Sequence, residues 1–304
     1  MKKILIIGVS GLTGYRLAKL LAKDFKVFGT YNKRPLIIKN CKIVQLDKTD
    51  KERTNSLIRN YNPNVIIDCS ALHNVDYCET HQQETWEVNV EAPKFIAQVC
   101  KEMKLRFIYI STDYVFDGKT GNYNEHSKPN PLNFYGISKL KAEEEIVNIS
   151  LNYAIVRTSL VYGWGPSEAE GLESSSMKST NFAKWTLRKL RLGESLNIVN
   201  DQFNTPTYVD HLVYSLLALA KLNRNGIFHI AGNQCTNRYE FTCKIADVFG
   251  LDRKLIIPVS SKNFNQIAER PMNCCLNSQK SQQLLGIKPH NIYKSLQIMK
   301  EREI

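Results

Sequence analysis

The chain has 304 residues, 43% hydrophobic and 23% charged, the make-up of a globular protein able to bury a large core as one domain or two interlocked ones. The formal net charge is +12, but lysines and arginines are scattered with no run of four; this argues against nucleic acid as a partner and for a basic surface that attracts phosphorylated small molecules. No apolar run approaches the ~18 residues of a membrane span, and the run Ile4 to Ile7 stops at Gly8, short of the about 7–15 residues of a signal-peptide core.

A cytoplasmic protein with no membrane partner is therefore expected. The cysteines at 41, 69, 78, 100, 235, 243, 274 and 275 form no Cys-x-x-Cys pair, and the histidines lack zinc-ligand spacing. They read as reduced thiols packed as small hydrophobes, and the neighbours Cys274 and Cys275 receive no role.

Lys2 to Ile7 reads as a first strand. Gly8-Val9-Ser10-Gly11-Leu12-Thr13-Gly14 follows at once and opens a helix through Leu17, Leu20 and Leu21. Glycines between a buried strand and a helix permit a tight turn, approach of a pyrophosphate to backbone N–H groups, and close helix-to-strand packing. Lys26 to Thr30 predicts strand two. Its end reads Tyr31-Asn32-Lys33-Arg34, with two cations and no acid to meet a ribose 2′-hydroxyl, which favours NADP(H) over NAD(H). Ordinary loop charges are the bland reading of Lys33 and Arg34.

Lys42 to Leu46 predicts strand three, closed by Asp47 where an adenine edge would lie; a helix over Lys51 to Tyr61 and strand four, Val65 to Asp68, follow. Ser70-Ala71-Leu72 are small enough, at their start, to let a dinucleotide lie against the backbone. A long helix is predicted from Gln82 to Met103, with Asn89 as readily structural as functional. Strand five, Arg106 to Ile110, ends in Ser111-Thr112-Asp113-Tyr114-Val115-Phe116-Asp117-Gly118. Helices with intervening strands predict a Rossmann-type doubly wound parallel α/β sheet, with ligands at the strands' C-terminal ends.

A helix from Phe134 to about Ile149 carries Tyr135 and Lys139 one turn apart on one face. Strand six is Tyr153 to Arg157. Residues 164–180 are rich in glycine and serine without hydrophobic period and read equally as a lid or an inert insertion. A helix over Asn181 to Leu192, a strand Ser195 to Val199, a helix ending at Leu222, a strand Gly226 to Ile230 and helices at Tyr239–Phe249, Gln279–Leu285 and Tyr293–Glu301 complete the chain. Residues 1–160 are expected to form the dinucleotide-binding domain, with 205–225 returning to it. Residues 161–204 and 226–304 are expected to form a smaller C-terminal α/β substrate lobe.

Reduction of a ketone needs a proton for oxygen as hydride reaches carbon. A free phenol, with pKa about 10, is a poor partner near pH 7. The Lys139 ammonium and a nicotinamide's positive charge would stabilise the phenolate of Tyr135 and lower its pKa, while Thr112 would bond the carbonyl oxygen.

These segments resemble the dTDP-4-dehydrorhamnose reductase family of extended short-chain dehydrogenase/reductases. The resemblance runs through Gly8 to Gly14, Asp47, Ser70-Ala71, Val88-Asn89-Val90, Ser111 to Gly118, Tyr135 to Lys139, Arg157-Thr158-Ser159, Val161-Tyr162-Gly163, and Asp201-Gln202 with Pro206-Thr207. It implies Thr112, Tyr135 and Lys139 as catalytic residues. It implies a cofactor site drawn from Gly8, Ser10, Gly11, Leu12, Gly14, Asn32, Lys33, Arg34, Asp47, Ser70, Ala71, Leu72 and Asn89, with Tyr135 and Lys139. Thr112, Asp113, Leu160, Asn181, Gln202 and Thr207, with Pro206, would face the nucleotide sugar. The implied reaction is NADPH-dependent reduction of the C4 ketone of a dTDP-6-deoxy-4-keto-hexose.

Leu160 stands where the family often has Trp, and the insertion before Asn181 is long; both bear on which sugar is taken. Some relatives use a divalent metal such as Mg, for which the sequence shows no ligand cluster. A homodimer is the oligomer considered. The rival readings are a non-catalytic NADP-binding subunit resembling the methionine adenosyltransferase regulatory subunit, and a nucleotide-sugar epimerase or dehydratase.

Overall fold

The structure is a computed structural model that describes residues 2–150, 152–166, 181–264 and 266–303. The segment read as a lid or an insertion lies, from residue 167 to 180, outside the described residues.

In the first half β1 (Lys3–Ile7) leads through the glycine loop to α1 (Leu12–Leu21), then β2 (Lys26–Tyr31), β3 (Cys41–Gln45), α2 (Lys51–Tyr61) and β4 (Val65–Asp68). The bounds of α2 follow from local chemistry. Asp50 accepts the Arg53 N–H as N-cap, and Asn62 adopts the left-handed conformation that ends the helix just before Pro63. Next come α3 (Val75–Thr80), α4 (Gln82–Trp86), a π turn at Glu87–Glu91 and α5 (Ala92–Glu102), then β5 (Arg106–Thr112), α6 (Phe134–Ile149) and β6 (Tyr153–Thr158).

The second half holds β7 (Val161–Tyr162), α7 (Phe182–Arg191), β8 (Leu196–Val199), β9 (Phe203–Asn204), β10 (Thr207–Tyr208) and α8 (Val209–Lys221). It ends with β11 (Gly226–His229), β12 (Thr236–Asn237), α9 (Arg238–Phe249), β13 (Ile256–Val259), α10 (Gln279–Leu285) and α11 (Ile292–Glu301).

Seven parallel strands form the central sheet in the order β11-β6-β5-β4-β1-β2-β3. The reversal between β1 and β4 is the switch point of a doubly wound fold, as expected. Alternation along β1 explains its continuous apolar run. Ile4 and Ile6 face Leu17 of α1 and Leu212 and Leu216 of α8, while Leu5 and Ile7 face Ile58 of α2, Ile96 of α5 and Ile146 of α6. A second unit packs α7 and α9 against the parallel pair β8–β13 through Leu190, Leu196, Ile198, Ala246 and Ile256.

Four expectations change. Residues 226–229 pair with β6 and extend the central sheet, so this part of the expected substrate lobe belongs to the sheet, where the apolar Phe228 is buried. The helix predicted from Gln82 to Met103 contains the π turn, which carries the fully buried Asn89. β5 runs two residues further than predicted, because Ser111 and Thr112 stay in register with Arg157 and Thr158 of β6. Finally, Cys235 and Cys275 are joined by a disulfide, not left as reduced thiols, with Cα atoms 5.5 Å apart. Their 40-residue separation hides the pairing from any local motif. It arises because the strand-like segment at 272–274 hydrogen-bonds β9, and β9 pairs with β12 beside Cys235.

Candidate active site

The end of β5 and the start of α6 bring two of the expected catalytic residues, Thr112 and Tyr135, together. Asn133 caps α6 by accepting the Gly136 N–H at 2.9 Å. A Cβ on Gly136 would lie 2.2 Å from the Tyr114 carbonyl oxygen, so only glycine lets the helix come this close to the loop after β5. Tyr135 is thereby set near Thr112, close enough for the hydroxyl to act on the phenol. That hydroxyl also accepts the Tyr114 N–H at 3.2 Å and donates to Asp113 Oδ1 at 3.1 Å.

Asp113 is buried and accepts a 2.5 Å hydrogen bond from Ser159. Burial raises its carboxyl to about 6, against the pull of the hydrogen bonds from Ser159 and Thr112. Burial likewise raises the Tyr135 phenol, and the Thr112 hydroxyl only partly opposes it. The downward shift expected from Lys139 is therefore not what the protein alone produces. The phenol is held protonated, the form that can donate a proton.

Lys139 points elsewhere. Its Nζ donates to the Ile110 carbonyl at 2.8 Å and lies 3.9 Å from the centroid of the Tyr109 ring. Burial, and then the nearby Lys48 charge, bring its pKa down to about 7, although Asp68 and Glu143 act the other way.

Beneath it lie two ion pairs that the sequence reading missed. Lys48 Nζ meets Asp68 at 2.9 Å and also bonds the Ser70 carbonyl at 2.9 Å, while Ser70 donates its N–H and hydroxyl back to Asp68. Arg157 Nη2 meets Glu143 at 2.5 Å, and Ser111 donates to the same carboxylate. A signal existed: Tyr135, Lys139 and Glu143 recur every four residues on one helix face, where a helix packed on a sheet should show apolar side chains.

The nucleotide loop has the form its motif predicts. The Gly8 and Val9 amides both donate to the Thr30 carbonyl at 2.9 Å, tying the loop to the end of β2. A Cβ at Gly14 would lie 2.2 Å from the Gly8 carbonyl oxygen, which only glycine avoids. The first turn of α1 has no side-chain cap and no acid, so its N–H groups and positive dipole end are open to a pyrophosphate. This cradle, with Ser10, Gly11 and Leu12 at its rim, fits a dinucleotide.

Asn32, Lys33 and Arg34 follow the end of β2, and Asn32 donates to Asp47 at 3.2 Å. Asp47 also accepts from Thr49, and these contacts hold its carboxyl below the usual range against desolvation. Asn89 acts as a brace within the fold. Its side chain accepts the Leu72 N–H and donates to the Leu72 carbonyl, each at 2.9 Å, and reaches Ser138 at 3.2 Å. It fixes the loop Ser70-Ala71-Leu72 relative to α6.

The expected substrate residues are less uniform. Leu160 has φ +37, an uncommon conformation for leucine, and packs against the core at the end of β6. Gln202 is buried and donates to Gln266 at 3.2 Å. Thr207 is fully buried and donates to the Thr205 carbonyl, so it supports the wall instead of facing a ligand. Asn181 caps α7 and donates to the Gly163 carbonyl at 2.8 Å, which engages both ends of its amide. A separate cavity of about 460 Å³, between α8 and α11, includes Pro206 but none of Thr112, Tyr135 and Lys139. Among the described residues no group of three or more His, Cys, Asp or Glu is arranged to hold a metal ion, and no helix is long and apolar enough to cross a membrane.

Residues 1–303 match the family model described as RmlD substrate binding domain. The chain is 31% identical to a dTDP-4-dehydrorhamnose reductase of Aggregatibacter actinomycetemcomitans, over 97% of each chain. It is 33% identical to methionine adenosyltransferase 2 subunit beta of Danio rerio, over 94% of this chain and 85% of that protein. Among solved structures it is similar to dTDP-4-dehydrorhamnose reductase from Bacillus anthracis in complex with NADP, with a TM-score of 0.87, 26% identity and full coverage of both chains.

Proposed function

The chain belongs to the dTDP-4-dehydrorhamnose reductase family, and on that premise we propose that it reduces the C4 ketone of a dTDP-6-deoxy-4-keto-hexose with NADPH. The observation that carries this reading is the meeting of a protonated Tyr135 with the Thr112 hydroxyl at the C-terminal end of β5, in a sheet whose first loop fits a dinucleotide.

When bound, NADPH supplies the hydride. The loop from Gly8 to Gly14 would hold its pyrophosphate, and Lys33 and Arg34 its 2′-phosphate. Tyr135 donates its phenolic proton to the ketone oxygen, and Thr112 holds that oxygen in line with the phenol. In the free site the Thr112 proton is donated to Asp113, itself anchored by Ser159, and it turns from that carboxylate to the ketone oxygen when the substrate enters. Lys139 uses one of its three donors on Ile110; the others remain for the ribose next to the nicotinamide. Burial keeps bulk water from competing for the proton. No resident metal enters this mechanism. The cytoplasm, where nucleotide sugars and NADPH are drawn on together, is the location that accompanies it.

The test is a panel of NADPH and NADH against 4-keto-hexoses carried on dTDP, UDP and GDP. Oxidation that requires both NADPH and the dTDP-linked ketone supports the reading. The likeness to the methionine adenosyltransferase subunit favours one rival, an NADP-binding regulatory protein. Tight NADPH binding with no reduction of any keto-sugar would select that rival.

A further inference from the structure

Arg238 has no part in the chemistry described so far. It opens α9 directly after β12, which pairs antiparallel with β9, Asn237 lying opposite Phe203. Arg238 follows Asn237 directly, as Gln202 directly precedes Phe203 on the paired strand. Its guanidinium lies over the Phe182 ring, the first residue of α7, 5.3 Å from the centroid. Stacking of this kind holds the planar group in one orientation.

Other arginines near the cleft are engaged. Arg157 is held by Glu143, and Arg270 by Asp76 at 2.9 Å and by the Ala268 carbonyl. Arg238 is half-buried, and among the described residues no carboxylate and no hydrogen-bond acceptor holds it. Its charge nevertheless acts on Asp113 and Tyr114, the residues that follow Thr112. A forked set of N–H donors, stacked on a ring and close enough to the site for its charge to be felt there, matches an oxyanion with two free oxygens.

The substrate named above supplies such a group. With its C4 ketone at Thr112 and Tyr135, the hexose carries its diphosphate on C1, at the opposite end of the ring. A pose that turns this end toward the second unit puts the diphosphate on the side of Phe182 and Arg238. Asn181, the polar residue expected in this corner, is committed to α7 and Gly163. We infer that Arg238 binds the diphosphate of the nucleotide-sugar substrate through a forked pair of charged hydrogen bonds. This rests on the ketoreductase reading and adds to it the residue that selects a diphosphate-linked sugar.

The experiment titrates dTDP, thymidine and NADPH against the full chain and its Arg238→Gln and Arg238→Lys variants, with steady-state reduction of the keto-sugar alongside. Arg238→Gln is expected to weaken dTDP by about 10–100-fold, the loss that follows when a charged hydrogen-bonded pair is removed. Arg238→Lys should fall between the two. Thymidine and NADPH should bind all three proteins equally, which a merely misfolded variant would not allow. KM for the keto-sugar should rise with the loss of dTDP affinity while kcat changes by less than about threefold, the signature of a uniform binding contact.

Equal dTDP affinity in the parent and Arg238→Gln overturns the inference, and so does a parent protein that binds no dTDP. Keto-sugar reduction with dTDP affinity insensitive to Arg238 would leave the function standing and sink only this role. Arg238-dependent dTDP binding with no reduction of any keto-sugar would do the reverse.

Discussion

Lys139→Met separates the cost of burying this ammonium from everything else the residue does. Methionine has a similar length and no charge. The folded protein lowers the lysine's pKa from 10.5 to about 7, through burial and the Lys48 charge. Between those two values the unfolded chain holds a proton that the folded chain does not, so wild-type stability rises with pH across that window. Below about 7 both states carry the proton and the full penalty applies. At 1.36 kcal/mol per unit, wild type should gain about 2–3 kcal/mol relative to Lys139→Met between pH 6 and pH 9. The lost hydrogen bond to Ile110 is missing from the variant at every pH and cancels from this comparison. Urea unfolding of both proteins at pH 6, 7.5 and 9 measures the difference. A gap between them that stays constant within about 0.5 kcal/mol would show that Lys139 is not depressed and that the site tolerates its charge.

The remaining expectations are simpler. Tyr135→Phe should lower keto-sugar reduction by about 10²–10⁴-fold while NADPH still binds, as removal of a general acid does; near-normal turnover in steady-state assays would remove the phenol from the mechanism. Glu143→Leu strands the buried Arg157 guanidinium, so urea unfolding should show a loss of about 3–5 kcal/mol, and a loss under 1 kcal/mol would mean the pair is solvated. Gly14→Ala should abolish NADPH binding measured by fluorescence, because the new Cβ meets the Gly8 carbonyl oxygen; unaltered affinity would argue against the loop as the pyrophosphate cradle. Thiol titration of the denatured, unreduced protein should count six free cysteines, rising to eight on reduction; eight from the start would rule out the bond between Cys235 and Cys275.

Features with local causes were legible in the sequence. Lys51–Tyr61 and Phe134–Ile149 are helices with the predicted bounds because Asp50, Asn62, Pro63 and the residues before Phe134 act within a few positions of the ends. The central sheet followed from apolar runs spaced by helical periods. The approach of Tyr135 to Thr112 was legible as a helix spacing after a strand end.

What was not legible depends on distant partners. Nothing near Lys139 says that its ammonium will turn to the Ile110 carbonyl, because the packing of α6 on β5 decides that. The internal partners of Asn181 and Thr207 were hidden for the same reason: a polar side chain in a binding segment looks alike whether it faces a ligand or an internal carbonyl. Arg238 lay unremarked in a stretch read only as the approach to a helix, and its stacking on Phe182 comes from the packing of α9 against α7.

The central claim is that hydride from NADPH reaches C4 of a dTDP-linked 4-keto-6-deoxyhexose as Tyr135 protonates the oxygen. Deuterium placed at the transferable position of NADPH follows that hydride directly. Incubation of the labelled cofactor with the keto-sugar and the protein should yield a dTDP-6-deoxyhexose carrying deuterium at C4, seen by NMR, with one cofactor oxidised per sugar. The Tyr135→Phe variant should give little of it. A sugar altered without net loss of NADPH, or a protein that binds the labelled cofactor and leaves its deuterium in place, would contradict the claim.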